Sequence, residues 1–171
     1  MESVAYVVPM DVRRRLAELG LEEQHLLRAV QRGQTARLSC TANHPVLFPG
    51  LCAWSETVRA LREELIPLRW ERSDEDNLPF TVNPDRTVAI AVATGDEATG
   101  LRDRIPCTKS SKGPRTANAV QRNGLQYSLF GDIRLQPEHL KKINSRMTFL
   151  LLFHWDIELR QLRCSSHVRS T

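Results

Sequence analysis

The chain has 171 residues, of which 41% are hydrophobic and 26% charged, a composition typical of globular proteins. A chain of this length can bury a core without disulfides, and we predict a single domain over residues 1–171. The longest apolar run, residues 149–153, is too short to span a bilayer. Since the first residues also lack the pattern of a secretory signal, we expect a cytoplasmic protein that has no membrane partner.

The net charge of +4 conceals an asymmetry between two parts of the chain. Residues 1–100 contain 11 Lys and Arg against 15 Asp and Glu, a net charge of −4, whereas residues 101–171 contain 13 against 5, a net charge of +8. A basic region of this kind is typical of proteins that bind nucleic acid or an acidic protein. Arg-rich surfaces also occur on proteins with neither partner, so both interpretations stay open.

Apolar residues at helical spacing predict three helices in the first sixty-odd residues. The first helix ends at Gly20, the second ends before Gly33, and the third is stopped by Pro67, with residues 41–50 as a connection. The first pair has the outline of a DNA-binding helix-turn-helix. An ordinary helical hairpin has the same pattern, and the acidic residues Glu22 and Glu23 would repel a DNA phosphate.

From Leu68 onward, apolar and polar residues alternate, which is typical of strands. The predicted strands cover residues 68–72, 78–82, 87–93, 148–155 and 160–165. The fourth of them is apolar on both faces and should lie inside the sheet. Helices first and strands later predict an α+β fold, in which N-terminal helices pack on a small, mostly antiparallel sheet with a C-terminal hairpin.

No catalytic or metal-binding motif is recognisable in the chain. Residues 95–100 have the spacing of a phosphate-binding loop, but Leu101 and Arg102 stand where Lys and Ser or Thr are needed. Cys40 and Cys164 each precede a histidine, yet a structural zinc site normally uses two tight ligand pairs. His154 lies in the most apolar strand and is expected to be a hydrogen-bonded core residue. We therefore predict no catalytic residue, no metal and no cofactor.

A long stretch without periodicity, residues 94–116, contains the best candidate for a ligand site. Lys109, Lys112 and Arg115 lie there with several hydroxyls, just before a predicted helix. Cations and the free N–H groups of a helix start attract anions, and Gly113 would let the backbone approach one closely. The predicted anion or nucleic-acid site also includes three further cations, Arg122, Lys141 and Lys142. The alternative is a solvated connector.

Residues 126–130, with the sequence QYSLF, resemble a known docking peptide. Many bacterial DNA-replication and repair proteins bind the DNA sliding clamp through Gln, an aliphatic residue, Ser or Asp, Leu and Phe. The resemblance implies that Gln126 fills a polar pocket of the partner while Leu129 and Phe130 fill an apolar one. Alternatively, Leu129 and Phe130 are core residues of this domain.

Together these patterns predict a non-enzymatic accessory or regulatory protein of a bacterium or phage. Its basic C-terminal half would bind nucleic acid or a protein that processes nucleic acid. One alternative is a small enzyme whose nucleotide or phosphorylated substrate is held by residues 94–116. Another is an inhibitor that presses a charged face on a partner enzyme.

Overall fold

Helices come first in the fold and most strands come later. The computed structural model describes residues 4–5, 9–75, 78–101, 104, 106–109, 146–156 and 161–169. The helices are α1 (Pro9–Glu18), α2 (Glu23–Leu38) and α3 (Phe48–Leu65), with a 3₁₀ turn at Ile66–Leu68. The strands are β1 (Val4–Ala5), β2 (Glu71–Ser73), β3 (Phe80–Val82), β4 (Val88–Thr94), β5 (Met147–Asp156) and β6 (Gln161–Arg169). The α+β prediction is confirmed.

The strands of the described residues form one mixed sheet in the order β1-β6-β5-β4-β3-β2. Neighbouring strands are antiparallel except for β4 and β5, which run parallel with Thr94 opposite Phe153. Strands β5 and β6 pair antiparallel from Asp156 and Gln161 back to Thr148 and Arg169. The predicted mostly antiparallel sheet and C-terminal hairpin are therefore confirmed.

Helices α2 and α3 form the most extensive helix contact of the fold. They approach closely at Gly33, where a Cβ atom would lie 2.5 Å from the carbonyl oxygen of Ala53 and would overlap the hydroxyl of Thr57. Only glycine permits such an approach between two helix backbones. The prediction that α2 ends at Gly33 is therefore wrong, because the glycine makes room for α3 while the helix continues.

The main core lies between this helix pair and one face of the sheet. In β4, Val88, Ile90 and Val92 point to the helices, as do Phe149 and Leu151 in β5. The helices contribute their fully buried apolar side chains, which are Ala29, Val30, Ala60, Leu61 and Leu65. Burial of a large aliphatic side chain stabilises a fold by about 1.5–3 kcal/mol, so this layer carries much of the stability.

A smaller cluster lies on the opposite face of the sheet. It consists of Phe80, Val82 and Ala89, whose positions alternate with the residues that face the helices. The guanidinium of Arg146 lies over the Phe80 ring, 5.4 Å from its centroid. Along β4, the valines and the isoleucine therefore face the helices, whereas Ala89 and Ala91 face the smaller cluster.

The predicted strand at residues 68–72 is only partly correct. After the 3₁₀ turn, Arg69 adopts a left-handed conformation with φ of 62°, and the Trp70 N–H donates to the Leu65 carbonyl. This turn buries Trp70 under α3 and delays the strand to Glu71. Likewise α3 begins at Phe48, inside the predicted connection, because Pro49 is well tolerated in the first turn of a helix.

Candidate functional site

The candidate site lies at the sheet edge where the parallel strands β4 and β5 end. In open sheets, ligands commonly bind outside the carboxyl ends of parallel strands. The Gly95 N–H continues the ladder by donating to the Phe153 carbonyl, with an N–O distance of 2.8 Å. Gly95 is thus the first residue of the loop and is fixed to both strands.

Both ends of the loop are held at this edge. Gly95 and Thr108 form an antiparallel bridge, and the Lys109 N–H donates to the Thr94 carbonyl over 2.9 Å. One residue further in, the Asp96 N–H donates to the Cys107 carbonyl over 2.8 Å. Lys109 is exposed, so its ammonium group is presented to solvent from a backbone that the sheet positions.

Asp96 shapes the first turn of the loop. Its Oδ1 accepts from the Ala98 N–H over 3.1 Å, and its carbonyl accepts from the Thr99 N–H. This pattern is the turn that Asp side chains stabilise in loops. Thr99 is fully buried and its methyl and hydroxyl lie on the Cα of Gly95, where any Cβ would overlap the hydroxyl. The loop start is therefore tightly packed.

His154 holds the loop from the β5 side. Its ring is half-buried, and Nδ1 lies 3.2 Å from the Gly95 carbonyl oxygen. A carbonyl oxygen only accepts, so this hydrogen bond requires a proton on Nδ1. The expected hydrogen bond of this histidine is confirmed, with the loop backbone as its partner, but the ring is half-buried and does not belong to the core.

The structure therefore brings Asp96, Lys109 and His154 to one edge. Asp96 and His154 use side-chain atoms to hold backbone groups, whereas Lys109 is exposed and has no ion pair among the described residues. Arg104, in the same loop, is also exposed. This geometry presents the Lys109 cation from a backbone that the sheet holds, which suits the recognition of an anion.

The other predicted binding residues lie outside the described residues. These are the anion-site residues Lys112, Gly113, Arg115, Arg122, Lys141 and Lys142 and the docking residues Gln126, Leu129 and Phe130. Their roles stay predictions. The helix predicted at the end of the cationic stretch lies outside the described residues as well.

One cation of the basic half has a structural role. Arg146 forms two hydrogen bonds with the Glu75 carboxylate, of 2.9 and 3.3 Å, and its guanidinium also covers the Phe80 ring. These hydrogen bonds lower the pKa of the Glu75 carboxyl, against the opposing effect of its partial burial. Arg146 is thus neutralised within the fold, which distinguishes it from Lys109.

Arginines also neutralise most of the acidic residues of the three helices. For example, the Arg59 guanidinium hydrogen-bonds Glu56 and Glu63, and this contact lowers the pKa of the Glu56 carboxyl. The other pairs in residues 1–100 are Arg13–Glu23, Arg15–Glu18, Arg28–Glu64, Arg32–Glu63, Arg62–Asp74 and Arg86–Glu71. These pairs neutralise seven of the fifteen acidic residues of residues 1–100, whereas the exposed Glu97 lies in the loop itself.

A groove of about 340 Å³ lies at the end of the helix pair near Pro67. Its walls include Arg28 and Arg32, each paired with a glutamate of α3, Glu64 and Glu63 respectively. Because these charges cancel, the groove offers no strong attraction for an anion. The same pairs neutralise Arg28 and Arg32 of α2, the second helix of the predicted helix-turn-helix outline.

The described residues contain no group of three or more His, Cys, Asp or Glu that could hold a metal ion. The acidic residues Asp74 and Asp96 have separate partners: Asp74 pairs with Arg62 and Asp96 closes its own turn. None of the helices in the described part of the chain has the length and hydrophobicity that crossing a membrane requires.

Sequence reasoning missed a second surface, at the connection between α2 and α3. Large apolar side chains are exposed there, which are Leu38, Val46, Leu47, Phe48 and Leu51. The available signal was the apolar run VLF between Pro45 and Pro49, in a segment that was treated only as a connection.

Comparisons with known proteins leave the functional argument to the geometry of the loop and of this second surface. The chain matches no family model, no curated protein and no solved structure.

Proposed function

We propose that the protein is a non-enzymatic accessory or regulatory protein that binds nucleic acid, or a protein that processes it, through its basic C-terminal half. The observation that carries this proposal is the exposed Lys109, whose backbone is hydrogen-bonded to Thr94 at the carboxyl ends of β4 and β5. Lys112 and Arg115 follow within six residues in the sequence and would extend the same cationic surface.

The distribution of charge supports an anionic ligand. The net charge of +8 in residues 101–171 accompanies a helical half whose acids are mostly paired with arginines. Residues 94–116 contain five cations against three acids, Asp96, Glu97 and Asp103, and a net positive charge attracts phosphates over about a Debye length, roughly 10 Å at 0.1 M salt. Such contacts dominate non-specific binding to nucleic acid.

The hydrogen bonds that the Asp96 and His154 side chains make with the loop backbone favour binding over catalysis. A general acid or base must reach a substrate proton, whereas Asp96 accepts from the Ala98 N–H and His154 Nδ1 donates to the Gly95 carbonyl. The second candidate is a small enzyme that acts on a nucleotide or phosphorylated substrate. It is favoured by one observation, the presence of Nε2 of His154 and the ammonium of Lys109 at one edge.

The test is a triple variant, Lys109→Ala, Lys112→Ala and Arg115→Ala, assayed by fluorescence anisotropy with labelled duplex DNA, single-stranded DNA and RNA. The matched control is Arg13→Ala, Arg59→Ala and Arg86→Ala, which removes the same charge from exposed sites elsewhere. Substitution of the exposed residues Lys109, Arg13, Arg59 and Arg86 should change the free energy of unfolding by no more than about 0.5 kcal/mol each, and thermal melting checks that both variants fold.

We expect the loop variant to bind nucleic acid at least tenfold more weakly than the control variant. Equal affinities would place the binding elsewhere and contradict the proposal. If wild-type protein binds none of the three nucleic acids even at low salt, nucleic-acid recognition is wrong and a protein partner becomes the better interpretation. Hydrolysis of a nucleotide that depends on His154 would favour the enzyme.

A further inference from the structure

The end of the α2–α3 hairpin exposes a cluster of large apolar side chains, which we call the hairpin tip. It consists of Leu38, Val46, Leu47, Phe48 and Leu51. Val46 is 95% exposed and Leu47 is 85% exposed, values that a core residue never approaches. Single exposed apolar residues are common, but contiguous exposed groups of this kind mark interaction sites.

Hydrogen bonds hold the backbone of the hairpin tip. The His44 N–H donates to the Thr41 carbonyl, and His44 Nδ1 accepts from the Thr41 N–H over 3.0 Å. The Phe48 N–H then donates to the Pro45 carbonyl over 2.9 Å, and the His44 ring stacks on the Phe48 ring with centroids 4.9 Å apart. The apolar side chains are therefore presented on an ordered turn, which lowers the entropic cost of binding.

The electrostatics around the hairpin tip are positive. No acidic residue occurs between Glu23 and Glu56, and Glu56 is paired with Arg59. Arg37 lies next to Leu38 and has no ion pair with a carboxylate of the described residues. Helix α3 begins at the tip with neither a side-chain cap nor an acid in its first turn, so its positive dipole end is not compensated.

We propose that the hairpin tip docks a partner protein through an amphipathic helix whose apolar stripe is flanked by carboxylates. The apolar stripe would cover Val46, Leu47 and Leu51, which together supply the hydrophobic contact. The carboxylates would lie near Arg37 and the start of α3, where charge complementarity favours them. This surface belongs to the helical half and is independent of the cationic loop.

Two other occupants fit the hairpin tip less well. A second copy of the chain, docked tip to tip about a two-fold axis, would place Arg37 and the start of α3 against their own copies without any acid between them. Anionic membranes are recognised by clusters of about four to eight cations, whereas the tip has the one arginine. The helix with acidic flanks is therefore the occupant that matches both the apolar and the charged features.

The test uses two synthetic helical peptides of equal length as probes for the full-length protein. Both carry Leu at i, i+3, i+4 and i+7; one has Glu and the other has Lys at the flanking positions. Binding is measured by fluorescence anisotropy with wild-type protein, with Leu47→Ser plus Leu51→Ser, and with the matched control Ile66→Ser. Ile66 is 63% exposed at the opposite end of α3, so the control removes exposed apolar surface elsewhere.

The expected result is that the Glu peptide binds wild-type protein and Ile66→Ser equally and the tip variant at least tenfold more weakly. The Lys peptide should bind wild-type protein at least tenfold more weakly than the Glu peptide. Thermal melting checks that the tip variant remains folded. The proposal is overturned if neither peptide binds, if both bind alike, or if the tip variant retains affinity. Self-association or binding to anionic vesicles that the tip variant abolishes would also overturn it, in favour of those occupants.

Discussion

A single arginine connects the beginning of β5 to the β2–β3 region. Arg146 reaches the Glu75 carboxylate through two hydrogen bonds and covers Phe80. Both contacts involve residues about seventy positions away in sequence, so no local pattern could have predicted them. In the sequence, Arg146 is one cation of a basic region. In the structure, Glu75 neutralises its charge and the pair links two segments of the fold.

The ion pair between Arg146 and Glu75 predicts a pH-dependent contribution to the free energy of unfolding. Because Arg146 lowers the pKa of the Glu75 carboxyl in the folded state, the stabilisation is complete above the ordinary pKa of glutamate and is lost as the pH falls through the lowered value. We expect Glu75→Gln to reduce the free energy of unfolding at pH 7 by less than about 1 kcal/mol, since the Glu75 side chain is half exposed.

Urea denaturation of wild-type protein and Glu75→Gln should show this difference shrinking as the pH falls from about 5 to 3. Asp85→Asn is the control, since Asp85 is an exposed carboxylate of the β3–β4 turn without an ion pair among the described residues. A difference for Glu75→Gln that is independent of pH would show that the carboxylate charge is not what stabilises the contact.

At the scale of elements, periodicity predicted most of the fold correctly. The alternation of Val88, Ile90 and Val92 with alanines located β4, and the apolar run at residues 149–153 located the internal strand β5. These signals succeed because each strand buries both faces. The strand predicted from Leu68 failed in part, since the left-handed turn at Arg69 is set by packing of Trp70 on the core and has no sequence signature.

Gly33 shows how a local rule can be overridden by packing between helices. Helix propensity alone says that Gly33→Ala should stabilise α2 by about 1 kcal/mol. In the structure, however, the new Cβ would meet the Ala53 carbonyl oxygen at 2.5 Å, a backbone atom that cannot rotate away. We expect net destabilisation of about 1–3 kcal/mol, measured by urea denaturation.

The matched control is Gly50→Ala in the first turn of α3. A Cβ at Gly50 would have no heavy atom within 4 Å, so this variant should be neutral or more stable by up to about 1 kcal/mol. If Gly33→Ala is as stable as Gly50→Ala, the close approach of α2 and α3 at this position is incorrect.

At the scale of the whole molecule, the helices and the loop at the ends of β4 and β5 differ in how their charges are paired. The helical half pairs its acids with arginines, whereas the loop at the ends of β4 and β5 presents Lys109 to solvent. The sequence predicted the cationic loop because charge counts are local. It did not predict that His154 would meet Gly95, because this contact depends on the parallel pairing of strands about sixty residues apart.

The salt dependence of nucleic-acid binding tests the central claim most directly. For wild-type protein, a plot of log affinity against log salt concentration should be a falling line, because each phosphate contact releases counterions. Lys109→Ala should weaken binding and make the slope shallower by about one unit, the contribution of one phosphate contact. A wild-type affinity that does not change with salt, or a Lys109→Ala slope equal to that of wild-type protein, would contradict the account.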